Sequence, residues 1–93
     1  MNDYSKCNVL VVDDDREIGA SIGIYLEQEA IRSKVVYDGQ QALDALKDDE
    51  FHLILMDIMM PKLDGIRATL KIREEKNIPI ILISAKSEDS DKI

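Results

Sequence analysis

Three adjacent aspartates follow a short apolar run near the start of the chain. Residues 9–12 are wholly apolar, and Asp13, Asp14 and Asp15 come directly after them. One carboxylate at such a position can cap a following helix, but three carboxylates repel one another. Two carboxylates about 4 Å apart repel by about 4 kcal/mol at an effective dielectric constant of about 20. The cluster therefore requires a proton or a cation, unless its members point apart.

Polar side chains also close two later apolar segments. Residues 51–57 end at Asp57, and residues 78–84 end at Ser84. If all three segments are parallel strands of one sheet, their carboxyl ends lie at the same edge, where ligands bind in such folds. If the first and third strands are neighbours, Asp13, Asp14 and Asp57 converge there. Oxygen ligands in a small, partly hydrated site suit Mg²⁺.

A carboxylate beside a bound Mg²⁺ is suited to phosphoryl chemistry. In this arrangement Asp57 can act as a nucleophile toward phosphorus and form an acyl phosphate. The hydroxyl of Ser84 can donate a hydrogen bond to the new phosphoryl oxygens. Adding this charge and moving one hydroxyl is a local change that can bias a surface with two states.

The remainder of the chain alternates apolar segments with amphipathic segments. Strands are predicted near residues 9–12, 34–37, 51–57 and 78–84, and helices are predicted after the first three strands, with a further helix starting near Ser87. Asp15, or else Asp14, should cap the first helix, and Asp38 the second. The order β-α-β-α-β-α-β predicts an α/β fold with a doubly wound, mainly parallel sheet covered by helices on both faces.

The first helix should run to about Gln28 and present one apolar face. The spacing of three and four residues places four side chains on that face: Ile18, Ile22, Tyr25 and Leu26. Gly19 and Gly23 form a G-x-x-x-G pattern, which we interpret as tight packing within a globular domain because charged residues share the helix.

The third helix should cover residues 66–76. Ile66 and Leu70 are expected to face inward, together with Ile72 or Arg73. The preceding loop contains Gly65, which permits a tight turn or a close approach of two backbone segments.

Composition limits the partners of this segment. The chain has 93 residues, enough for one small domain, and a net charge of −7, which argues against binding nucleic acid or an anionic membrane by itself. Its apolar runs are far shorter than the ~20 residues of a membrane span. A single cysteine, Cys7, and a start without an apolar signal-peptide core favour a cytoplasmic location.

Three motifs in this order carry a family resemblance. The segments "VLVVDDD", "LILMDIMMPKLDG" and "IPIILISA" resemble the receiver domain of two-component response regulators, over residues 8–93. The run D-x-x-M-P-x-x-D-G at residues 57–65 is the most specific part of the match. The resemblance implies the flavodoxin-like receiver fold.

The resemblance assigns roles at the matching positions. It makes Asp57 the phosphoacceptor, Asp14 a direct Mg²⁺ ligand and Asp13 a residue that acts through the metal or its waters. It also makes the backbone carbonyl of Met59 a metal ligand.

Two residues after the fourth strand have counterparts as well. Ser84 matches the switch hydroxyl, and Ala85 matches the small residue that leaves space for the phosphoryl group.

The resemblance also implies partners. The phosphoryl donor would be a phosphohistidine on a sensor histidine kinase, and the domain would be a signalling module of a phosphorelay. It is expected to be no turnover enzyme, although it can catalyse its own phosphoryl transfer and hydrolysis. In the full-length protein, an effector domain outside this chain would bind DNA and control transcription.

This chain departs from the family at its carboxyl end. A complete receiver has five strands and five helices, whereas residues 1–93 are expected to supply strands one to four, helices one to three and the start of helix four. The aromatic switch residue and the lysine that the family places at its fifth strand have no counterpart. Strand four should therefore form an exposed edge, and self-association by strand pairing or domain swapping is expected.

Two other interpretations compete with the receiver. A fragment of a phosphatase resembling the haloacid dehalogenase superfamily would use Asp13-x-Asp15 and a later Ser84, and it should turn over p-nitrophenyl phosphate. A fragment that cannot be phosphorylated, because it lacks the lysine, would retain only an oligomerising role.

Overall fold

Four strands and three helices alternate along the described chain. The computed structural model describes residues 7–58 and 65–83. The elements are β1 (Asn8–Val12), α1 (Arg16–Gln28), β2 (Arg32–Val36), α2 (Gly39–Asp48), β3 (Leu53–Asp57), α3 (Gly65–Glu75) and β4 (Ile80–Ile83). The predicted order is confirmed, although β2 begins earlier and β3 and β4 are shorter than predicted. The helix expected near Ser87 lies outside the described residues.

The strands form one parallel sheet in the order β2-β1-β3-β4. Val12 of β1 is in register with Val36 of β2 on one side and with Met56 of β3 on the other. The predicted adjacency of the first and third strands is therefore confirmed. The residues that follow Val12 and Met56, Asp13 and Asp57, consequently reach the same edge of the sheet.

The core lies between the central strands and the helices α2 and α3. Leu10, Val12, Ile54 and Met56 are completely buried in β1 and β3. A wholly apolar strand sequence is expected where both faces of a parallel sheet are covered. Burying one such side chain stabilises the folded state by about 1.5–3 kcal/mol. These two strands therefore form a rigid base for the residues at their ends.

Helix α1 packs closely on β2 through its glycines. A Cβ added at Gly19 would lie 2.9 Å from Val35 Cγ1, and one at Gly23 would lie 3.2 Å from Val35 Cγ2. The tight-packing interpretation of the G-x-x-x-G pattern is confirmed. The expectation for Tyr25 is wrong, because its side chain is 61% exposed. The contact line follows the glycines, where the backbone can approach the sheet, and Tyr25 lies off that line.

Helix α3 faces inward through residues other than those predicted. Ala68 and Ile72 are buried, whereas Ile66 and Leu70 are 55% and 63% exposed. The prediction for Ile72 is confirmed, and the predictions for Ile66 and Leu70 are wrong. Ala68 and Ile72 join the core, and α3 packs mainly against α2. Ile66 and Leu70 lie off that side of the helix.

Strand β4 has one neighbour among the described strands and stands at the edge of the sheet. Ile81 and Leu82 on its two faces are 51% and 47% exposed. This matches the expected exposed edge, while self-association through it stays a prediction. Within the described ranges, no helix is long and apolar enough to cross a membrane.

Candidate metal and phosphoacceptor site

The carboxyl end of β1 buries a charged side chain. The backbone N–H of Asp13 donates to the carbonyl of Val36 (3.1 Å), which extends the pairing with β2 by one residue. Asp13 is fully buried, and its Oδ1 accepts a hydrogen bond from the N–H of Asp15 (2.9 Å). Its Oδ2 is buried and has no hydrogen-bond partner within the described part of the chain. Leaving such an atom uncompensated costs roughly 1–3 kcal/mol or more.

Asp15 has a different task from the two aspartates before it. Its Oδ1 accepts hydrogen bonds from the N–H groups of Glu17 (3.0 Å) and Ile18 (3.2 Å), which makes it the N-cap of α1. The predicted cap is confirmed. Because this side chain satisfies the start of the helix, it does not form a D-x-D pair with Asp13, as the phosphatase interpretation requires.

Asp57 ends β3 beside this position. It is 1% exposed, and the register of β1 with β3 brings it next to Asp13. One carboxylate oxygen each from Asp13, Asp14 and Asp57 lies within 4.8 Å of the others. The convergence predicted from the strand order is therefore present, with two of its three carboxylates buried.

Gly65 begins α3 directly against the phosphoacceptor candidate. Its N–H donates to the carbonyl of Ile58 (3.3 Å). A Cβ at this position would lie 2.5 Å from Ile58 Cα and would overlap the carbonyl oxygen of Asp57. The predicted close approach is confirmed, and it explains why the position requires glycine.

The carboxylate cluster suits a hard divalent cation. Its donors are all oxygen atoms, three formal negative charges share a small volume, and the buried Oδ2 of Asp13 has no hydrogen-bond partner among the described residues. Mg²⁺ prefers oxygen ligands, commonly one or two carboxylates together with water. The chemistry of this donor set therefore fits Mg²⁺.

Three of the predicted site residues are not among the residues that the structure describes. Met59, Ser84 and Ala85 lie outside the described residues. Ser84 follows Ile83, whose carbonyl accepts a hydrogen bond from the N–H of Ile58 (3.0 Å), so the described end of β4 lies beside the end of β3.

A further contact at this edge was not predicted from the sequence. The guanidinium carbon of Arg16 lies 4.0 Å from the centre of the Tyr37 ring. Two signals could have indicated it: a basic residue that directly follows three aspartates, and an aromatic residue at the end of the second predicted strand.

Comparison with known proteins now decides the family. The model of the response regulator receiver domain matches residues 9–93. The chain belongs to this family. The resemblance inferred from the motifs is thereby confirmed, and the haloacid dehalogenase interpretation loses its basis. The receiver fold is also shown by solved structures.

Two curated relatives show how much of a longer protein this receiver chain spans. The response regulator GtcR of Aneurinibacillus migulanus is 40% identical over 85 residues, which cover 91% of this chain and 35% of that protein. The transcriptional regulatory protein SrrA of Staphylococcus aureus is 35% identical over the same shares of both chains. The receiver chain thus spans about a third of the length of these relatives.

Solved receiver structures superimpose closely on this chain. The receiver domain of Francisella response regulator 1452 has a TM-score of 0.81 and 35% identity, covering 94% of this chain and 73% of that one. The response regulator TrrA of Thermotoga maritima, solved in complex with Mg²⁺-BeF, has a TM-score of 0.81 and 31% identity, covering 91% and 76%. The receiver domain of Ssk1 of Saccharomyces cerevisiae, solved with the histidine phosphotransfer protein Ypd1, has a TM-score of 0.75 and 31% identity, covering 89% and 65%.

Proposed function

We propose that this receiver accepts a phosphoryl group on Asp57 with the help of Mg²⁺. The observation that carries the proposal is the cluster of Asp13, Asp14 and Asp57, of which Asp13 and Asp57 are buried, with ligand oxygens within 4.8 Å of one another. A cluster of this charge in the interior has no structural benefit of its own. It is instead suited to hold a cation beside a carboxylate that must meet an anionic phosphoryl group.

The chain's own residues supply a positioned nucleophile. Asp57 is held at the end of β3 by the sheet and by the backbone of Gly65. A carboxylate oxygen of Asp57 forms the new bond to phosphorus while the bond from phosphorus to the donor breaks, and the electron pair leaves with the donor group. The product is an acyl phosphate, and each chain is modified once, so we regard the domain as a signalling module and no turnover enzyme.

The cation would be held by Asp13, Asp14, Asp57 and the backbone carbonyl of Met59. Bound there, it would neutralise part of the carboxylate charge and of the phosphoryl charge. In this proposal the hydroxyl of Ser84 binds the phosphoryl oxygens after transfer, and the small side chain of Ala85 leaves space for the group.

The partners follow from the same chemistry. We propose that the donor is a phosphohistidine on a sensor histidine kinase or a phosphotransfer protein, which the pairing of Ypd1 with the Ssk1 receiver supports. We also propose that the whole protein regulates transcription through a DNA-binding effector domain. The relative SrrA is named a transcriptional regulatory protein, which supports the role in transcription.

Labelling with a small phosphodonor tests the proposal. The protein is incubated with acetyl phosphate and Mg²⁺, and intact mass is measured. We expect the mass of one added phosphoryl group on the wild type and none on Asp57→Asn. The control Asp48→Asn removes an exposed carboxylate at the end of α2 and should be labelled like the wild type.

Two results would contradict the proposal that Asp57 accepts the phosphoryl group. Labelling of Asp57→Asn would place the phosphoryl group elsewhere. A wild type that binds Mg²⁺ but takes no phosphoryl group would support the interpretation as a fragment with only an oligomerising role.

A further inference from the structure

Arg16 and Tyr37 form a stacked pair that the proposed chemistry has not yet used. The guanidinium carbon lies 4.0 Å from the ring centre, within the range of a cation–π interaction. Arg16 is the first residue of α1, and Tyr37 directly follows β2. The contact therefore joins the start of α1 to the loop that follows β2, at the carboxyl edge of the sheet.

The pair lies beside the acidic cluster. The N–H of Asp13 donates to the carbonyl of Val36, so Tyr37 follows the residue that pairs with Asp13. Arg16 stands two residues after Asp14, at the start of a helix whose cap is Asp15. Both members of the pair are thus tied by the backbone to the side of the cluster formed by β1.

The loop that carries Tyr37 is also held in place locally. The N–H of Tyr37 donates to Oε1 of Gln41 (2.8 Å), and the side chain of Asp38 accepts from the N–H of Gln41 (2.8 Å). These bonds anchor the loop that carries the aromatic ring to the start of α2. The backbone that carries the ring is therefore held at the position where the guanidinium contacts it.

Stacking leaves the hydrogen-bonding edge of an arginine available. A guanidinium that stacks on an aromatic ring contacts it through its face, and its N–H donors lie in the plane of the group. Arg16 is exposed to solvent. Its planar donors match a phosphate group in a bidentate arrangement, which is the strongest common form of arginine–phosphate contact.

We propose that Arg16, held on Tyr37, binds the phosphoryl group that all donors share and thereby draws the incoming donor to the site. This inference rests on the proposed function. The chain carries a net charge of −7, and the cluster presents three carboxylates to an anionic donor. A fixed cation beside the cluster offsets this repulsion before transfer takes place.

Labelling rates measured over a range of donor concentrations test the inference. We expect Arg16→Gln to raise the half-saturating concentration of acetyl phosphate about five- to tenfold, while the maximal rate stays within about twofold. Arg16→Lys should give an intermediate value, because it retains the charge and loses the planar donors. Tyr37→Leu should give a smaller increase than Arg16→Gln, because it removes only the platform.

A second donor separates recognition of the phosphoryl group from recognition of the rest of the donor. Phosphoramidate carries the phosphoryl group on nitrogen, as phosphohistidine does. An increase of similar size with both donors supports recognition of the phosphoryl group, and an increase with acetyl phosphate alone overturns it.

Arg32→Gln is the matched control. Arg32 is an exposed arginine at the first residue of β2, at the opposite end of the same strand that Tyr37 follows. The substitution Arg32→Gln removes the same charge from the chain as Arg16→Gln, and it should leave the half-saturating concentration of acetyl phosphate unchanged.

Mg²⁺ affinity, measured by titration, should be unchanged or tighter in Arg16→Gln, because the variant removes a neighbouring positive charge.

The outcomes separate this inference from the proposed function. A labelled wild type with equal half-saturating concentrations for Arg16→Gln and Arg32→Gln overturns this inference alone. A loss in maximal rate, with an unchanged half-saturating concentration, also overturns it. A wild type that takes no label from either donor overturns the proposed function and this inference together.

Discussion

The two ends of the sheet treat their polar groups in opposite ways. At the amino end, the N–H of Asn8 donates to Nδ1 of His52 (3.1 Å), and its side-chain amide donates to the carbonyl of Glu50 (3.0 Å). The N–H of His52 donates back to the carbonyl of Asn8 (2.8 Å). At the carboxyl end, the buried Oδ2 of Asp13 has no hydrogen-bond partner among residues 7–58 and 65–83.

This difference separates structure from function within one sheet. Polar groups that satisfy one another contribute stability and need no further partner. Buried like charges that lie close together lower stability, so they are retained where another component is to be bound. The comparison leads to three expectations. Substitutions at the carboxyl end should change labelling or metal binding together with stability, and the substitution at the amino end should change only stability.

The largest effect is expected at the backbone contact that supports the carboxyl end. In Gly65→Ala the new Cβ would meet the backbone of Asp57 and Ile58, which cannot yield as a side chain can. We expect the free energy of unfolding to fall by about 3 kcal/mol. Urea denaturation measures this change, and the rate of labelling at Asp57 should fall with it.

Gly23→Ala is the control for this substitution. Its Cβ would lie 3.2 Å from a methyl group of Val35, a side chain that can shift. We expect a change within about 1 kcal/mol, because helix propensity favours alanine over glycine by a similar amount. Equal losses in the two variants would show that the contact with Asp57 has no special importance.

Asp13→Asn should change the free energy of unfolding by a smaller amount. Whether the variant is more or less stable than the wild type should depend on the presence of Mg²⁺. Without Mg²⁺, the variant should be about 1–2 kcal/mol more stable than the wild type, because it removes a buried like charge. The amide oxygen can still accept the bond from the N–H of Asp15. At a concentration 100 times its Kd, Mg²⁺ should stabilise the wild type by about 2.7 kcal/mol and the variant much less.

Urea denaturation of the wild type and of Asp13→Asn, each with Mg²⁺ and with EDTA, gives the four free energies of unfolding that test this expectation. A variant that is less stable than the wild type in EDTA would mean that the charge at Asp13 is compensated within the protein. The distinction between the two ends of the sheet would then fail.

Asn8→Ala should have the smallest effect. It removes the hydrogen bond to the carbonyl of Glu50 and retains the backbone bonds of β1. We expect a loss of about 1 kcal/mol in the free energy of unfolding. Mg²⁺ affinity and labelling at Asp57 should equal those of the wild type, and a change in either would show that the two ends are coupled.

Much of the fold could be predicted because its signals are local. The apolar run of β1 corresponds to a strand buried on both faces, and the apolar run of β3 to a strand with one buried and one half-buried face. Asp15 caps α1 and Asp38 caps α2. The order of strands and helices then restricts the sheet to few topologies. These signals were sufficient to predict that Asp13 and Asp57 lie at one edge of the sheet.

The inward faces of the helices were predicted less well. Hydrophobicity favoured Ile66 and Leu70 over Ala68, yet Ala68 is buried and the two larger residues are exposed. Tyr25 was misplaced for the same reason. Close packing of a helix on a sheet selects the side that lets the backbone approach, and side-chain hydrophobicity alone does not report that side.

The sequence by itself determined which chemistry is present: carboxylates at the ends of apolar strands, a helix cap among them and a glycine at the start of α3. Tertiary structure decided that three of those carboxylates approach within 4.8 Å, that an oxygen of Asp13 is buried and that Arg16 stacks on Tyr37. The physical reason is that strand order and register set distances between residues far apart in the chain, whereas capping and strand formation depend on neighbours.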